Sequence, residues 1–294
     1  MSTHSSLGGP GSVRASADTV AGPEAGPATM GAIRVAPNAA HAFGGIWRLT
    51  SRRFFSVTHW LILLGFFVLL VVFSIPAAPN RAAAVTGFLP WASRFYVCFL
   101  VPVLAFVAGA GVMRDDLRSD SVDYILTRPV RRPLFVLFRY VSHVACAQGE
   151  FLLSLAVVVG IGVYREVPAL WPAVPLLIAA QAMAVIAFSA FGFFCGLITG
   201  RYVIIGLAYG AIVEVGIGNV PTQLNQLSMA RHLMAIMRPI LGDAEIGVSS
   251  AAGASALTAP AAAMALLGFA VVMLAATVAV FSFKELASGG GREA

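Results

Sequence analysis

Two carboxylates fall inside long apolar runs, Glu150 in the run Arg139–Tyr164 and Glu214 in the run Tyr202–Val220. An ionised side chain near the middle of a bilayer costs at least about 2.5–3.5 kcal/mol on insertion scales, so each acid has to face protein or water. The chemistry open to such a group is a proton relay, a contact to a polar substrate, or a structural hydrogen bond made with the acid charged or neutral. Arg139 and His143 precede Glu150 by eleven and seven residues, a helical spacing that makes them possible neighbours on one face. Glu214 stands among Gly206, Gly210, Gly216 and Gly218, small residues that would let another helix approach closely.

The second concentration of chemistry is the stretch from Arg114 to Tyr140. It holds six arginines and four aspartates in a chain of which only 11% is charged, and it separates two apolar runs. Such a segment cannot lie in hydrocarbon. Nothing breaks a helix between Asp115 and Leu126, and Leu117, Val122, Ile125 and Leu126 give it a partly apolar side. Pro129 biases Arg128 away from the α region and so ends that helix, while Pro133 fits the first turn of the next one. The segment reads either as an ordinary loop kept on one side of the membrane by its positive charge, or as a docking helix that offers Tyr124, Ile125 and Leu126 to a soluble partner.

Other chemistries find no residues. The chain lacks GxxxxGK[ST], HExxH and GxSxG patterns and has no pair of intramembrane aspartates. ATP binding through a P-loop, metalloprotease, serine-hydrolase and aspartyl-protease activity are therefore not expected. Cys98, Cys146 and Cys195 show no CxxC or Cys/His spacing and read as buried thiols that pack like small hydrophobes. Met229, Met234 and Met237 fall at helical spacing on an apolar face, which is the pattern of packing rather than of copper ligands.

The elements that must hold these residues follow from composition. The 294 residues are 59% hydrophobic with a mean hydropathy of +0.87, far outside the range of a soluble domain. At about 20 residues per span the length allows about six spans. The apolar runs are too long and uniform for the alternating strands of a membrane barrel. The expected spans are 59–77, 93–113, 139–164, 174–199, 202–220 and 260–283.

Residues 1–42, rich in Gly, Ala, Pro and Ser, read as a disordered cytosolic tail with no signal peptide, and 286–294 as a short cytosolic tail. From 43 to 58, apolar Phe43, Ile46, Trp47, Phe54 and Phe55 recur at helical spacing beside Arg48, Arg52 and Arg53, which predicts an interfacial helix. The longest outer link, 221–258, carries a second amphipathic helix over 224–241, with Met229, Leu233, Ile236, Met237 and Ile240 on its apolar side.

With both ends inside, 14 of the 19 basic residues fall on the cytosolic side, as the positive-inside rule requires. The net charge of +6 is thus spent on orientation, and nucleic acid is not an expected partner.

Three places in the chain together resemble a known family. The first is Tyr124-Ile-Leu-Thr-Arg-Pro-Val-Arg-Arg132, close to a recurring LL-x-x-P-x-x-R turn. The second is Gly206-Leu-Ala-Tyr-Gly-Ala-Ile-Val-Glu214 leading to Leu227-Ser-Met-Ala-Arg-His-Leu233, and the third is the order of interfacial helix, spans and large final outer loop. From Phe43 to Phe283 the chain is similar to the membrane subunit of type-2 ABC exporters, the ABC-2 type permeases. It departs from that pattern in carrying Asp115 and Asp116 where a Glu followed by Gly is frequent, and Arg139 where a Lys is frequent.

The resemblance implies an all-α permease of six transmembrane helices with segment 114–133 as a cytosolic coupling helix. It further implies a bacterial inner-membrane location, pairing with itself or a related permease, and two separate cytosolic ATPase subunits. ATP and Mg would be bound by those partners and no cofactor by this chain. Asp115, Asp116, Tyr124, Ile125, Arg128 and Arg131 would form the docking surface, with Glu150 and Glu214 as candidates along the translocation path. The runner-up is a stand-alone proton-coupled carrier using Glu150 or Glu214, for which the two halves show no convincing internal repeat.

Overall fold

The structure is a computed structural model that describes residues 39–77, 87–117, 132–217, 226–245 and 257–283. Among the described residues every regular element is a helix. Five helices among the described residues are long and apolar enough to cross a membrane, so the chain is an all-α, multi-pass membrane protein. This follows from backbone chemistry, since a helix satisfies its own N–H and C=O groups where no water can.

Helix α1 is Ala39–Phe54 and α2 is Val57–Ala77. The expected helix over 43–58 thus begins earlier and breaks at Phe55–Ser56, where the Ser56 hydroxyl accepts the His59 N–H at 3.2 Å and caps the start of α2. Helix α3, Gly87–Asp116, contains a π-helical stretch, Ala92–Leu100, before its α-helical part Val101–Asp116. Helix α4, Arg132–Tyr164, starts seven residues before the expected span because Pro133 sits in its first turn, where a missing N–H costs nothing. Helix α5 is Leu170–Ile198, entered through a short link in which Glu166 and Ala169 both take left-handed backbone angles.

Helix α6, Tyr202–Gly216, is α-helical to Tyr209 and π-helical from Gly210. It covers 202–216 of the expected span 202–220, of which residues 218–220 lie outside the described ones. Helix α7 is Met229–Glu245 and α8 is Ala259–Phe283.

Helix α5 is the hub, touching α3, α4, α6, α7 and α8, with α3 as its most extensive partner. Lipid tails are as apolar as leucine, so burial from water does not drive these helices together, and close packing has to. Small residues make it possible. A Cβ on Gly109 of α3 would lie 2.8 Å from the Ser189 carbonyl oxygen, and one on Gly192 or Gly196 of α5 would come closer still to the carbonyls of Phe106 and Ala110. Of the glycines expected to admit a neighbour near Glu214, Gly206 is packed against the Phe106 ring, while Gly210 has open space at its Cβ position.

Tyr96, fully buried in the π-helical stretch, donates to Gln181 Oε1 of α5 at 2.8 Å and lies 3.0 Å from the Phe151 carbonyl of α4. One phenol therefore ties three helices. At the edge of the bundle, α2 contacts only α4 and α1 substantially and leaves Leu61, Ile62, Leu64, Val68, Val72 and Phe73 exposed, as a lipid-facing helix would.

The apolar sides of both amphipathic helices are laid on protein. Phe43 meets Phe138 of α4 edge-on at 5.4 Å, and Phe54 meets His143 at 5.9 Å. Met229, Leu233, Ile236 and Met237 of α7 are buried in the core against α5, α8 and α3. That is the apolar side expected over 224–241, realised a few residues later.

Candidate functional site

At the end of α3, charge and burial meet. Arg139 lies about two turns into α4 with its side chain 4% exposed. Burying a guanidinium demands partners for its donors, and three are supplied. Nε donates to Asp116 Oδ2 at 2.6 Å, Nη2 to Asp116 Oδ1 at 2.8 Å, and Nη1 to the Thr50 hydroxyl at 2.7 Å. The Asp116 contact is the two-pronged pairing for which a planar guanidinium is suited. It joins α3 to α4, and Thr50 brings in α1.

Two further contacts surround this base. Arg53 of α1 pairs with Asp115, both side chains partly exposed, and Gly200 in the turn between α5 and α6 packs on the Arg114 guanidinium, where a Cβ would stand 3.2 Å from Nη2. The first three residues of the charged segment, Arg114 to Asp116, are thus held by α1, by α4 and by the α5–α6 turn. Of the residues expected to dock a partner, Asp116 turns its carboxylate inward to Arg139 and Asp115 turns its own to Arg53. Tyr124, Ile125, Arg128 and Arg131 lie outside the described residues.

Next to this cluster His143 is fully buried between the rings of Phe54 and Phe193, and among the described residues neither ring nitrogen has a hydrogen-bond partner. Neither of the possible same-face neighbours of Glu150, Arg139 and His143, bonds to it. Arg139 is taken by Asp116, and Glu150 instead pairs with His59 Nε2, from the first turn of α2. The pair is about a quarter to a third exposed.

Glu214 has a different fate. Oε1 accepts the Tyr209 hydroxyl at 2.9 Å and the Met229 N–H at 3.0 Å, while Oε2 accepts the Ser228 hydroxyl at 2.5 Å and the Ala230 N–H at 3.1 Å. Met229 and Ala230 are the first two residues of α7, whose opening N–H groups have no partner within the helix. The Ser228 hydroxyl accepts the next one, from Arg231, at 3.3 Å. His232 Nδ1 closes the turn by donating to the Ser228 carbonyl at 2.8 Å.

A carboxylate on the positive end of a helix dipole is electrostatically favourable. These four bonds make Glu214 a cap on the start of α7, joined to the π-helical end of α6.

The three cysteines are free thiols, on α3, α4 and α5. Comparison of the chain with protein-family models, with curated proteins and with solved structures finds no match to any of them.

Proposed function

We propose that the chain is the permease subunit of a bacterial inner-membrane ABC exporter of the ABC-2 type, in which separate cytosolic ATPases drive movement of a substrate through a pair of such subunits. In this reading α6 and the residues after it complete a sixth span, both chain ends are cytosolic, and segment 114–133 is the element the ATPase pushes. The observation that carries the reading is the buried Arg139–Asp116 pair with its Thr50 bond. A displacement of the charged segment cannot be absorbed at its base, because that base is bonded to α1 and α4 and packed on the α5–α6 turn. The push is delivered to the spans. The chain carries no P-loop of its own and so depends on a partner for energy.

The test is substitution of Tyr124→Asp together with Ile125→Asp. These should abolish association with the ATPase while the chain remains inserted and monodisperse, and unchanged co-purification would refute the docking assignment. The His59–Glu150 pair is the observation that favours a proton-coupled carrier instead. That reading requires transport driven by a pH gradient in liposomes containing this chain alone, and its loss in Glu150→Gln.

A further inference from the structure

Helix α1 has a line of residues that its own bundle does not use. Phe43, Ile46, Thr50 and Phe54 recur every three or four residues and face α4. At about 100° per residue, His41, Gly45, Arg48 and Arg52 fall within about 40° of the opposite side. Arg48 and Arg52 are exposed, one helical turn apart, and α1 contains no acidic residue. Among the described residues no carboxylate pairs with either of them, whereas the adjacent Arg53 is occupied by Asp115.

One flank of this line is apolar. Leu49, about 75° round the helix from it, is 59% exposed; Trp47, nearer the bundle-facing side and against the Phe43 ring, is 39% exposed, and Phe55 at the helix end is 72% exposed. A surface bathed only in water gains nothing from exposing them, and a surface in hydrocarbon cannot hold two arginines. The combination fits the headgroup layer, where guanidinium groups meet phosphate and aromatic or aliphatic side chains enter the acyl boundary. Position supports this as well. Only Phe55 and Ser56 separate α1 from the membrane-crossing helix α2, which keeps α1 at the bilayer surface. Gly44 and Gly45 leave open space beside Arg48, so a headgroup can approach the helix backbone there.

We propose that the His41–Arg48–Arg52 line of α1 is a binding surface for the phosphate headgroups of anionic phospholipid, with Leu49 beside it and Phe55 at the helix end dipping toward the acyl chains. An acidic patch on a cytosolic protein is the competing occupant, and the exposed Leu49 and Phe55 beside the arginines favour lipid.

The test uses the purified full chain in mild detergent, titrated with phosphatidylglycerol or phosphatidylcholine and read by native mass spectrometry. Each arginine near an anionic lipid surface contributes about 1 kcal/mol, and at about 1.4 kcal/mol per factor of ten the pair contributes about 30-fold. Arg48→Gln with Arg52→Gln should weaken phosphatidylglycerol binding by about 30-fold and leave phosphatidylcholine unchanged. Arg48→Lys with Arg52→Lys should retain most of the preference, and added salt should erode it.

Each single Gln variant should cost about 5-fold on the same reckoning, which keeps the test decisive if the double variant misfolds. Phosphatidylglycerol binding equal to that of the wild type would overturn the proposal, as would variants that bind lipid normally but lose a co-purifying protein. The titration needs no ATPase, so its outcome is independent of the exporter reading.

Discussion

Replacing Asp116 by Asn removes the anion that compensates Arg139. The guanidinium would remain buried, holding its Thr50 bond at 2.7 Å and a weakened contact to the amide. Breaking one partner of a buried pair costs about 3–5 kcal/mol, because an uncompensated charge is left inside. The cost of Thr50→Val is smaller, about 1.5–3 kcal/mol for one hydrogen bond to a charged group. Replacing both ends, Asp116→Leu with Arg139→Met, removes the charges together and should restore most of the loss, since a hydrophobic pair of similar volume is often neutral.

The assay is equilibrium unfolding in mixed micelles by added denaturing detergent, followed by circular dichroism, for the wild type, Asp116→Leu, Arg139→Met and their double variant, with Asp116→Asn measured alongside. Because each single substitution costs about 3–5 kcal/mol and the double little, a coupling of about 3 kcal/mol or more is expected, at or above the top of the range for groups in one network. If Asp116→Asn cost under about 1 kcal/mol, the pair would behave as an exposed one and could not anchor the charged segment. If the double variant were as unstable as the sum of the singles, the reasoning from charge compensation would fail.

Two more outcomes test other parts of the fold. Gly192→Leu inserts a side chain where even a Cβ would collide with the Phe106 carbonyl. It should force α3 from α5 at a cost of about 1–3 kcal/mol or more, visible as a lowered unfolding midpoint, whereas Gly210→Ala, with open space around it, should be nearly silent. Glu214→Gln places a donor-bearing amide among four donors, so at least one is left unpaired at about 1–3 kcal/mol. Hydrogen exchange at the Met229 and Ala230 amides should accelerate while the middle of α7 stays protected, and unchanged exchange would contradict the capping role.

The elements that depend on apolar length were legible in the sequence. Five apolar runs became long helices, Pro133 marked the start of α4, and the Met229–Leu233–Met237 spacing gave the buried side of α7. Partnership between helices was not legible. Spacing along α4 places Arg139, His143 and Glu150 near one face, but it cannot say that Asp116 arrives from α3 and His59 from α2. Glu214 is the extreme case, because its partners include backbone N–H groups of another helix and no residue type announces them.

The break after Phe54 did leave a signal, Ser56 immediately before the apolar run of α2, in the position of a helix cap. The two π-helical stretches left none, since their sequences keep the apolar character of the spans around them.

The central claim is that this chain works with a separate ATPase. It is tested most directly by affinity purification from its native membrane in mild detergent, with mass spectrometry of everything that remains bound. The account predicts a P-loop ATPase in stoichiometric amount, lost when Tyr124 and Ile125 are replaced by Asp. A chain that emerges alone, under conditions that hold a known ABC complex together, would contradict it.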